Sequence, residues 1–535
     1  MKRAGDKSEK EPLLGKESTE PVSKEQSAPI SLPEWLHNVP GYGLLLLVKK
    51  TKPYGLYVLF MMLMAYLFNQ LDRYTLSIVT TLSGPDVGYG DYSCMAIPQY
   101  AGTANISKHC TNITSEDSCI SAEGDYNSTC HWAHNGTGLE YQIVAGPVFN
   151  NLYPLAGLFT GYLADYGRRT LWLSLSLVFW SVMTGVTGFA HTFWHLVVLR
   201  ALLAIGAAGC TPFAISILSD YIPSNLRGSA FSIYYWGIYI GYSMAYAIGN
   251  GIAEILNWRW VFFISGLAGL AVAPLIFLTV REPARTKTAG DEKAKQSKAQ
   301  FAKQSLFLIV KTFLPCFFPG MFILCIAGGI RNAGGYVWAY NTENFFKARG
   351  YSNDTISSFM SWIPLVGGSL GAAFGGIISD IIVKRRGPYA RVWVLIISQV
   401  AAAPFAAGAL FLPKPWCFLS LIPSNVIGEM WVGVTTAIVV DLAPSAIRTT
   451  AVAIYLFIIT VIGGNFNIMV SPIQSALETH QHMSYYDSYK WTLFLTFPGV
   501  YAASSILFVV AFFVMRCDIK RKQKIEEALV LNASS

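Results

Sequence analysis

Charge is what this chain has least of. Only 13% of its 535 residues are Asp, Glu, Lys or Arg, against 53% hydrophobic. A soluble chain of this length would form several domains with charged surfaces, so the composition excludes an ordinary soluble protein. Enzymatic signatures are scarce too. There is no phosphate loop ending in Gly-Lys-Ser/Thr and no His-Glu-x-x-His, so no nucleotide and no catalytic metal is expected. His191 and His195 lie one helical turn apart, and His480 and His482 are next neighbours but one, yet each pair lacks a third ligand nearby. Neither pair makes a metal site, and no cofactor is implied. The polar start of the chain, rich in Lys, Glu, Ser and Pro, holds no cleavable signal peptide and reads as a disordered tail.

Apolar runs are what the chain has in abundance. Stretches of bilayer-crossing length fall at 54–79, 142–164, 170–189, 194–219, 228–249, 260–280, 312–341, 355–379, 391–411, 416–440, 449–471 and 491–515. With both termini in the cytosol, 30 of the 39 Lys and Arg lie on the inner side, 6 outside and 3 within spans. That asymmetry is the positive-inside pattern, so the net charge of +8 reports orientation and gives no support for nucleic-acid binding. The expected organisation is a cytosolic tail at 1–53, a six-helix bundle at 54–281, a linker at 282–311, a second bundle at 312–515 and a cytosolic tail at 516–535. The first bundle carries a long outer loop at 80–141.

The two bundles are copies. Asp220-Tyr-Ile-Pro-Ser-Asn-Leu-Arg227 recurs in the second bundle as Asp441-Leu-Ala-Pro-Ser-Ala-Ile-Arg448, with every shared position in register. Gly161-Tyr-Leu-Ala-Asp165 running into Arg168-Arg169 recurs in the same way as Gly376-Ile-Ile-Ser-Asp380 running into Lys384-Arg385-Arg386. A duplicated six-span unit describes a secondary transporter. The Gly-x3-Asp-x2-Arg-Arg string between spans 2 and 3 resembles the loop signature of the major facilitator superfamily. Its carboxylate and basic residues are suited to a latch that stabilises one access state. The alternative is that Arg168, Arg169, Arg385 and Arg386 only anchor topology. Asp220, Arg227, Asp441 and Arg448 extend the same network.

The outer loop has its own chemistry. Cys94, Cys110, Cys119 and Cys130 lie in it beside the sequons at Asn105, Asn112, Asn127 and Asn135, with a further sequon at Asn353. This grouping implies an oxidising, glycosylating compartment and two disulfides, with three pairings open. A zinc site is the alternative, weakened by the lack of any Cys-x-x-Cys pair. In the N-terminal tail, Glu9-Lys-Glu-Pro-Leu13-Leu14 matches an acidic dileucine endolysosomal sorting signal.

Three cations lie inside spans. Counted from the inner end, Arg73 and Arg331 stand at the same depth in repeat-mate spans 1 and 7, and Arg200 reaches a comparable depth in span 4 from outside. Burying a guanidinium in hydrocarbon costs at least about 2.5–3.5 kcal/mol, so each must face a cavity or a partner. Together they suit an anion with carboxylate or phosphate oxygens; the other possibility is neutralisation by Asp72 and Glu429, the available carboxylates. Asp72 projects about 100° away from Arg73 on a helix, so either acid is a candidate for carrying a coupling proton. In span 5, Tyr235, Tyr239, Tyr242 and Tyr246 share one face and suit an amphipathic ligand or plain helix packing.

Asn69-Gln-Leu-Asp72-Arg73-Tyr-Thr75 resembles the span-1 signature of the spinster family, which moves lysolipids and sphingosine phosphates. Arg200 followed by Ile205-Gly206-Ala207-Ala208 is similar to that family's span-4 segment, with Ala207 where the family has an acidic residue. The resemblance implies a lysolipid substrate, and the departure implies that Asp72 and Glu429 couple protons alone or that protons are not coupled. Asp72 to Ser77 also resembles the organic anion–cation symporters, and arginines in spans 1 and 7 resemble organophosphate antiporters. All three imply an anionic substrate. The expected fold is all-α, with twelve transmembrane helices in two pseudo-symmetric bundles. The expected function is alternating-access transport of an amphipathic organic anion, with a small soluble anion and a non-transporting receptor as alternatives. The partners expected are that substrate, protons and membrane lipids, in a plasma or endolysosomal membrane.

Overall fold

The computed structural model describes residues 47–49, 51–96, 110, 116–121, 130–166, 168–223, 226–283, 319–387, 390–443 and 448–534. Helices separated by a short break join into rods that keep the span numbers used above. Span 1 is Pro53–Val87, span 2 is Gly138–Ala145 with Pro147–Tyr166, and span 3 is Arg169–Thr187. Span 4 is Phe193–Ala207 with Cys210–Tyr221, span 5 is Arg227–Ile255, and span 6 is Trp258–Thr279. Span 7 is Pro319–Ala348, span 8 is Asn353–Met360 with Ile363–Arg386, and span 9 is Arg391–Phe411. Span 10 is Trp416–Leu419, Leu421–Gly428 and Trp431–Leu442. Span 11 is Arg448–Asn465 and, after a 3-10 turn, Val470–Gln481; span 12 is Tyr485–Thr496 with Pro498–Ser534. Among the described residues, nine helices are long and apolar enough to cross a membrane by length and composition. Spans 2, 5 and 7 are not among them, because Asn150, Asn151, the span-5 tyrosines and Arg331 lower their hydropathy.

The helix ends follow from local chemistry. Pro53 opens span 1 at the position where a missing N–H costs nothing, and Gly88 closes it in the left-handed region at φ 76°. The fully buried Asp518 of span 12 accepts from the backbone N–H of Met321 at 3.1 Å, capping the start of span 7. Span 5 lies close on span 1 at Gly241, where a Cβ would sit 2.6 Å from the Leu67 carbonyl.

Two features exceed the sequence expectation. Span 1 runs on to Val87, and span 12 continues as helix through Ser534 instead of ending in an irregular tail. The outer loop holds a small antiparallel hairpin, β1 (Tyr92–Ala96) with β2 (Cys130–His134), in which Cys94 faces Trp132. Disulfides Cys94–Cys119 and Cys110–Cys130 close this subdomain, which resolves the pairing. The hairpin rests on span 1 through a glycine contact. A Cβ on Gly84 would lie 2.2 Å from the backbone nitrogen of Gly136, and Thr80 donates to the Gly136 carbonyl at 2.5 Å. Of the expected linker at 282–311, residues 284–311 lie outside the described residues.

The two halves are joined toward the disulfide loop. Lys347 donates to Thr81 at 3.1 Å, Asn250 to Ser357 at 2.9 Å, and Gln142 to Asn341 at 2.7 Å. Buried apolar residues divide the same way. One continuous core runs from Val58 and Ile217 of the first half to Trp338, Phe418 and Leu493 of the second. A separate core around Leu324, Leu395, Trp431 and Phe508 belongs to the second half alone, at its linker side. The halves therefore share a core on the loop side, with a second, independent core on the other.

Candidate functional site

Arg73 sits where the halves meet. Its side chain is buried, with Nε donating to the Tyr340 hydroxyl at 3.0 Å and Nη2 to the Asn150 carbonyl oxygen. The guanidinium carbon lies 4.8 Å from the ring centres of Phe149 and Tyr336, and 5.9 Å from those of Tyr74 and Tyr153. These partners are neutral, so the cation is held by oxygens and by ring faces. Arg200 is its neighbour. It donates to the backbone carbonyls of Asp72 at 3.3 Å and Arg73 at 2.5 Å, and shares the Phe149 ring at 4.9 Å. Its Nε is buried without a hydrogen bond.

Arg331 lies in a separate cluster in the second half. It pairs with Glu429 at 3.3 Å, donates to Gln399 and to the Gly428 carbonyl at 2.8 Å, and stands 4.0 Å over Tyr501. Glu429 occupies the break between the second and third helices of span 10. A carboxylate at a helix break has freedom to turn toward a cavity, and 22% of this side chain is exposed. The Tyr239 hydroxyl reaches across from the first half to Glu429 at 3.3 Å. Asp72 is fully buried inside the first bundle, facing Thr184, Trp180 and Arg200, with neither oxygen in hydrogen-bond contact. It does not pair with Arg73, so the helical spacing argument holds for its direction.

The span-5 tyrosines separate into two kinds. Tyr242 and Tyr246 are buried, and Tyr242 packs edge-on to Tyr74 with centroids 4.8 Å apart. Tyr235 keeps 38% of its surface accessible and packs edge-on to Tyr66 with centroids 6.0 Å apart. Tyr239 presses its ring on Gly368, where a Cβ would meet it at 2.2 Å.

Several residues at this site were not singled out from sequence: Phe149, Asn150, Tyr336, Asn341 and Glu343. Glu343 is a fully buried carboxylate of span 7 that pairs with Lys347 at 3.0 Å. The available signal was a polar residue inside an apolar run, which needs a reason to be there. The sequence does hold one string with the spacing of a catalytic elbow. Gly367-Gly368-Ser369-Leu370-Gly371 has the Gly-x-Ser-x-Gly spacing of a hydrolase elbow, but it lies within the helix Ile363–Arg386 and makes no strand-to-helix turn. Among the described residues no group of His, Cys, Asp and Glu could hold a metal.

The latch network differs in its partners from a latch reaching the opposite half. Arg169 pairs with Asp220 at 2.6 Å, in its own half, and with Glu282 at 3.0 Å, at the start of the linker. Glu282 also accepts from the Thr170 backbone N–H at 2.9 Å and hydroxyl at 2.8 Å. Burial pushes the Glu282 carboxyl up, but the bonds from Thr170 and Arg169 outweigh it and hold it below the usual range. In the second half, Asp441 pairs with Arg391 at 3.1 Å, while Arg385 and Arg386 are exposed. Arg168 is exposed as well, and Gly161 and Gly376 each face open space at their Cβ positions. The side chains of Asp165, Arg227, Asp380 and Arg448 lie outside the described residues.

Of the expected glycosylation sites, Asn353 begins span 8 and is partly exposed. Asn135 is buried, and its side-chain carbonyl accepts from the Thr137 N–H at 2.8 Å and hydroxyl at 2.7 Å. That turn is packed on span 1. Asn105, Asn112 and Asn127, and the sorting residues Glu9, Leu13 and Leu14, lie outside the described residues.

Comparison with known proteins places this geometry. The chain is 24% identical over 366 residues to "Protein spinster" of Drosophila melanogaster, covering 64% of this chain and 57% of that protein. It is 30% identical over 161 residues to "Sphingosine-1-phosphate transporter SPNS2" of Mus musculus, covering 30% and 27%. The matched region thus spans little more than half the length of the fly relative, and less of the mouse one. Among solved structures, a bacterial homolog of the human lysosomal transporter Spinster, inward-facing and unoccupied, superposes with a TM-score of 0.66 at 20% identity, covering 88% of this chain and 99% of that one. At that identity the likeness establishes the fold. The model of the Major Facilitator Superfamily matches residues 62–467, most of the chain, and the chain belongs to that superfamily.

Proposed function

We propose that this protein is a secondary transporter of an amphipathic organic anion, a lysolipid or sphingosine-phosphate-like molecule, working by alternating access. One observation carries the reading: among the described residues, the partners of Arg73, buried at the meeting of the halves, are neutral oxygens and aromatic faces. Arg73, Arg200 and Arg331 stand against the carboxylates of Asp72 and Glu429, which leaves one positive charge uncompensated. An anion would supply the missing charge through forked bonds. The accessible Tyr235 and the ring of Tyr239 offer an apolar wall with polar tips for the remainder of an amphipathic ligand. The relative named for sphingosine 1-phosphate transport supports the same substrate class.

The disulfide loop faces the extracytosolic side in this reading, since disulfides persist in oxidising compartments. Both termini are then cytosolic, in a plasma or endolysosomal membrane. Asp72 and Glu429 are the candidates for proton coupling. A small organophosphate or carboxylate is the second reading, favoured by the tight ring cage around Arg73.

The test is flux into liposomes holding the purified protein, with and without a proton gradient. The panel is labelled lysophospholipid, sphingosine 1-phosphate, and small carboxylates and phosphates. Lipid-anion flux that Arg73→Ala abolishes supports the first reading. Flux of small anions alone moves the protein to the second, and no flux of any member sinks both.

A further inference from the structure

Tyr340 makes two bonds across the halves at once. Its hydroxyl accepts from Arg73 Nε at 3.0 Å, and its backbone carbonyl accepts from the Tyr141 hydroxyl at 2.5 Å. The next residue repeats the contact: Asn341 Oδ1 accepts from Gln142 Nε2 at 2.7 Å and from the Tyr489 hydroxyl at 2.9 Å. Tyr141 and Gln142 belong to the helix Gly138–Ala145, which directly follows the disulfide hairpin. Both tyrosines are buried, at 0% and 1% exposure. One short stretch of span 7 therefore holds the cation of the site and the seal of the loop side together.

The edge of Arg73 that is occupied matters. Nε and Nη2 form the side of the guanidinium that a bidentate oxyanion grips. Here that edge is taken by two neutral acceptors, Tyr340 and Asn150. Both present bonds are charge-assisted from the donor side alone; an oxyanion brings a charged acceptor and direct Coulomb attraction in a low-dielectric interior, so it would compete for both donors.

We propose that Tyr340 is a positioning residue that relays anion occupancy of Arg73 to the loop-side seal. An anion takes the Nε donor, the Tyr340 side chain loses its anchor, and the 340–341 stretch loosens from Tyr141 and Gln142. This rests on the anion reading of Arg73 above.

The test uses Asn250→Cys as reporter in the full chain, because Asn250 is buried between spans 5 and 8 toward the loop side. Its labelling by an impermeant maleimide is followed in vesicles with the loop side outward. Sphingosine 1-phosphate is expected to speed labelling about 5-fold or more in the parent, the low end of ordinary coupling. Tyr340→Phe should label fast without the lipid and gain nothing from it. Arg73→Gln should do the same, and the two together should be no faster than either, since both remove one bond. Tyr141→Phe, which leaves Arg73 untouched, should label fast while still binding the lipid. Parent-like labelling of Tyr340→Phe, or additive effects of the two variants, overturns the relay. A parent that ignores the lipid while the variants stay non-additive sinks the substrate reading and supports the relay.

Discussion

Asn151 of span 2 and Asn465 of span 11 exchange amide hydrogen bonds across the two halves, at 3.1 Å from Asn151 to Asn465 and 2.7 Å in return. A reciprocal pair of this kind holds one register only, and it stands next to Asn150, which binds Arg73. The backbones approach closely at the same place. A Cβ on Gly464 would fall 2.1 Å from Asn150 Cβ, and one on Gly146 would fall 2.7 Å from the Gly464 carbonyl.

Gly464→Ala is therefore expected to prevent closure of the loop side while leaving each bundle folded. Loop-side labelling of a reporter cysteine should stay high, with flux lost. Asn151→Ala and Asn465→Ala should each weaken the closed state by about 1 kcal/mol, and the double variant should cost little more than one of them. Normal flux in Gly464→Ala would show that the contact seen here is not required for transport.

A second prediction concerns pH on the loop side. The carboxyl of Asp91 lies against Gly138, and Glu140 and Glu478 stand near it. Burial holds the Asp91 carboxyl above its usual range, with Glu478 and Glu140 adding to the rise and His134 opposing it. Glu478 belongs to the second half and the other two acids to the first, so their charges repel across the seam. The docked state binds the proton more tightly than the undocked state, so docking gains stability as pH falls through the raised value. It loses that gain as pH rises through the same window, which lies above the ordinary aspartate value near about 3.9. Thermal stability of the parent should therefore rise relative to Asp91→Asn as pH is lowered from neutral toward that window. An unchanged difference between the two proteins across the range would refute the assignment. In an acidic lumen this favours the closed loop side.

How much of this was written in the sequence depends on the kind of interaction. The twofold repeat, the apolar runs and the positions of Arg73, Arg200 and Arg331 follow from spacing and charge, which a linear reading captures. The union of Arg73 with Arg200 and the separation of Arg331 were not legible, because they depend on which neutral side chains fill the space between. Tyr340 and Asn150 are such residues, and a tyrosine or an asparagine in a span gives no sign of its partner. Glu343 did carry a signal in the sequence: a carboxylate in the helical stretch that continues span 7 requires a cation, and Lys347 stands one turn on. The disulfide pairing was open by arithmetic, and only the folded loop, which brings Cys119 to Cys94 and Cys110 to Cys130, fixes it.

Two sequons expected on the outer side, Asn135 and Asn353, differ in access, which predicts different glycan occupancy. Asn135 spends its side-chain carbonyl on Thr137 and is buried against span 1, whereas Asn353 is partly exposed at the start of span 8. In the expressed protein, Asn353→Gln is expected to raise gel mobility by one glycan, and Asn135→Gln to leave it unchanged. A shift on Asn135→Gln would mean that the turn at residues 135–137 opens before the loop docks.

The basic residues at the linker side make the last prediction. Asp220 and Asp441 are repeat mates, and their arginine partners in the structure, Arg169 and Arg391, are the opening residues of spans 3 and 9. The ion pair is thus present in both copies, although the arginines that spell the sequence repeat are Arg385 and Arg386. Arg391 also donates to Ser379 at 2.8 Å, as Arg169 does to Ser216 at 3.1 Å. A partly buried guanidinium with charged and neutral acceptors contributes about 1–3 kcal/mol, whereas changes at exposed side chains usually stay within about 0.5 kcal/mol. Arg391→Ala should therefore lower thermal stability clearly, and Arg385→Ala or Arg386→Ala should barely move it. If Arg385→Ala instead abolishes flux with stability intact, that residue acts in the other access state. The two arginine sets would then divide the work, Arg169 and Arg391 bracing each half and Arg385 latching one half to the other.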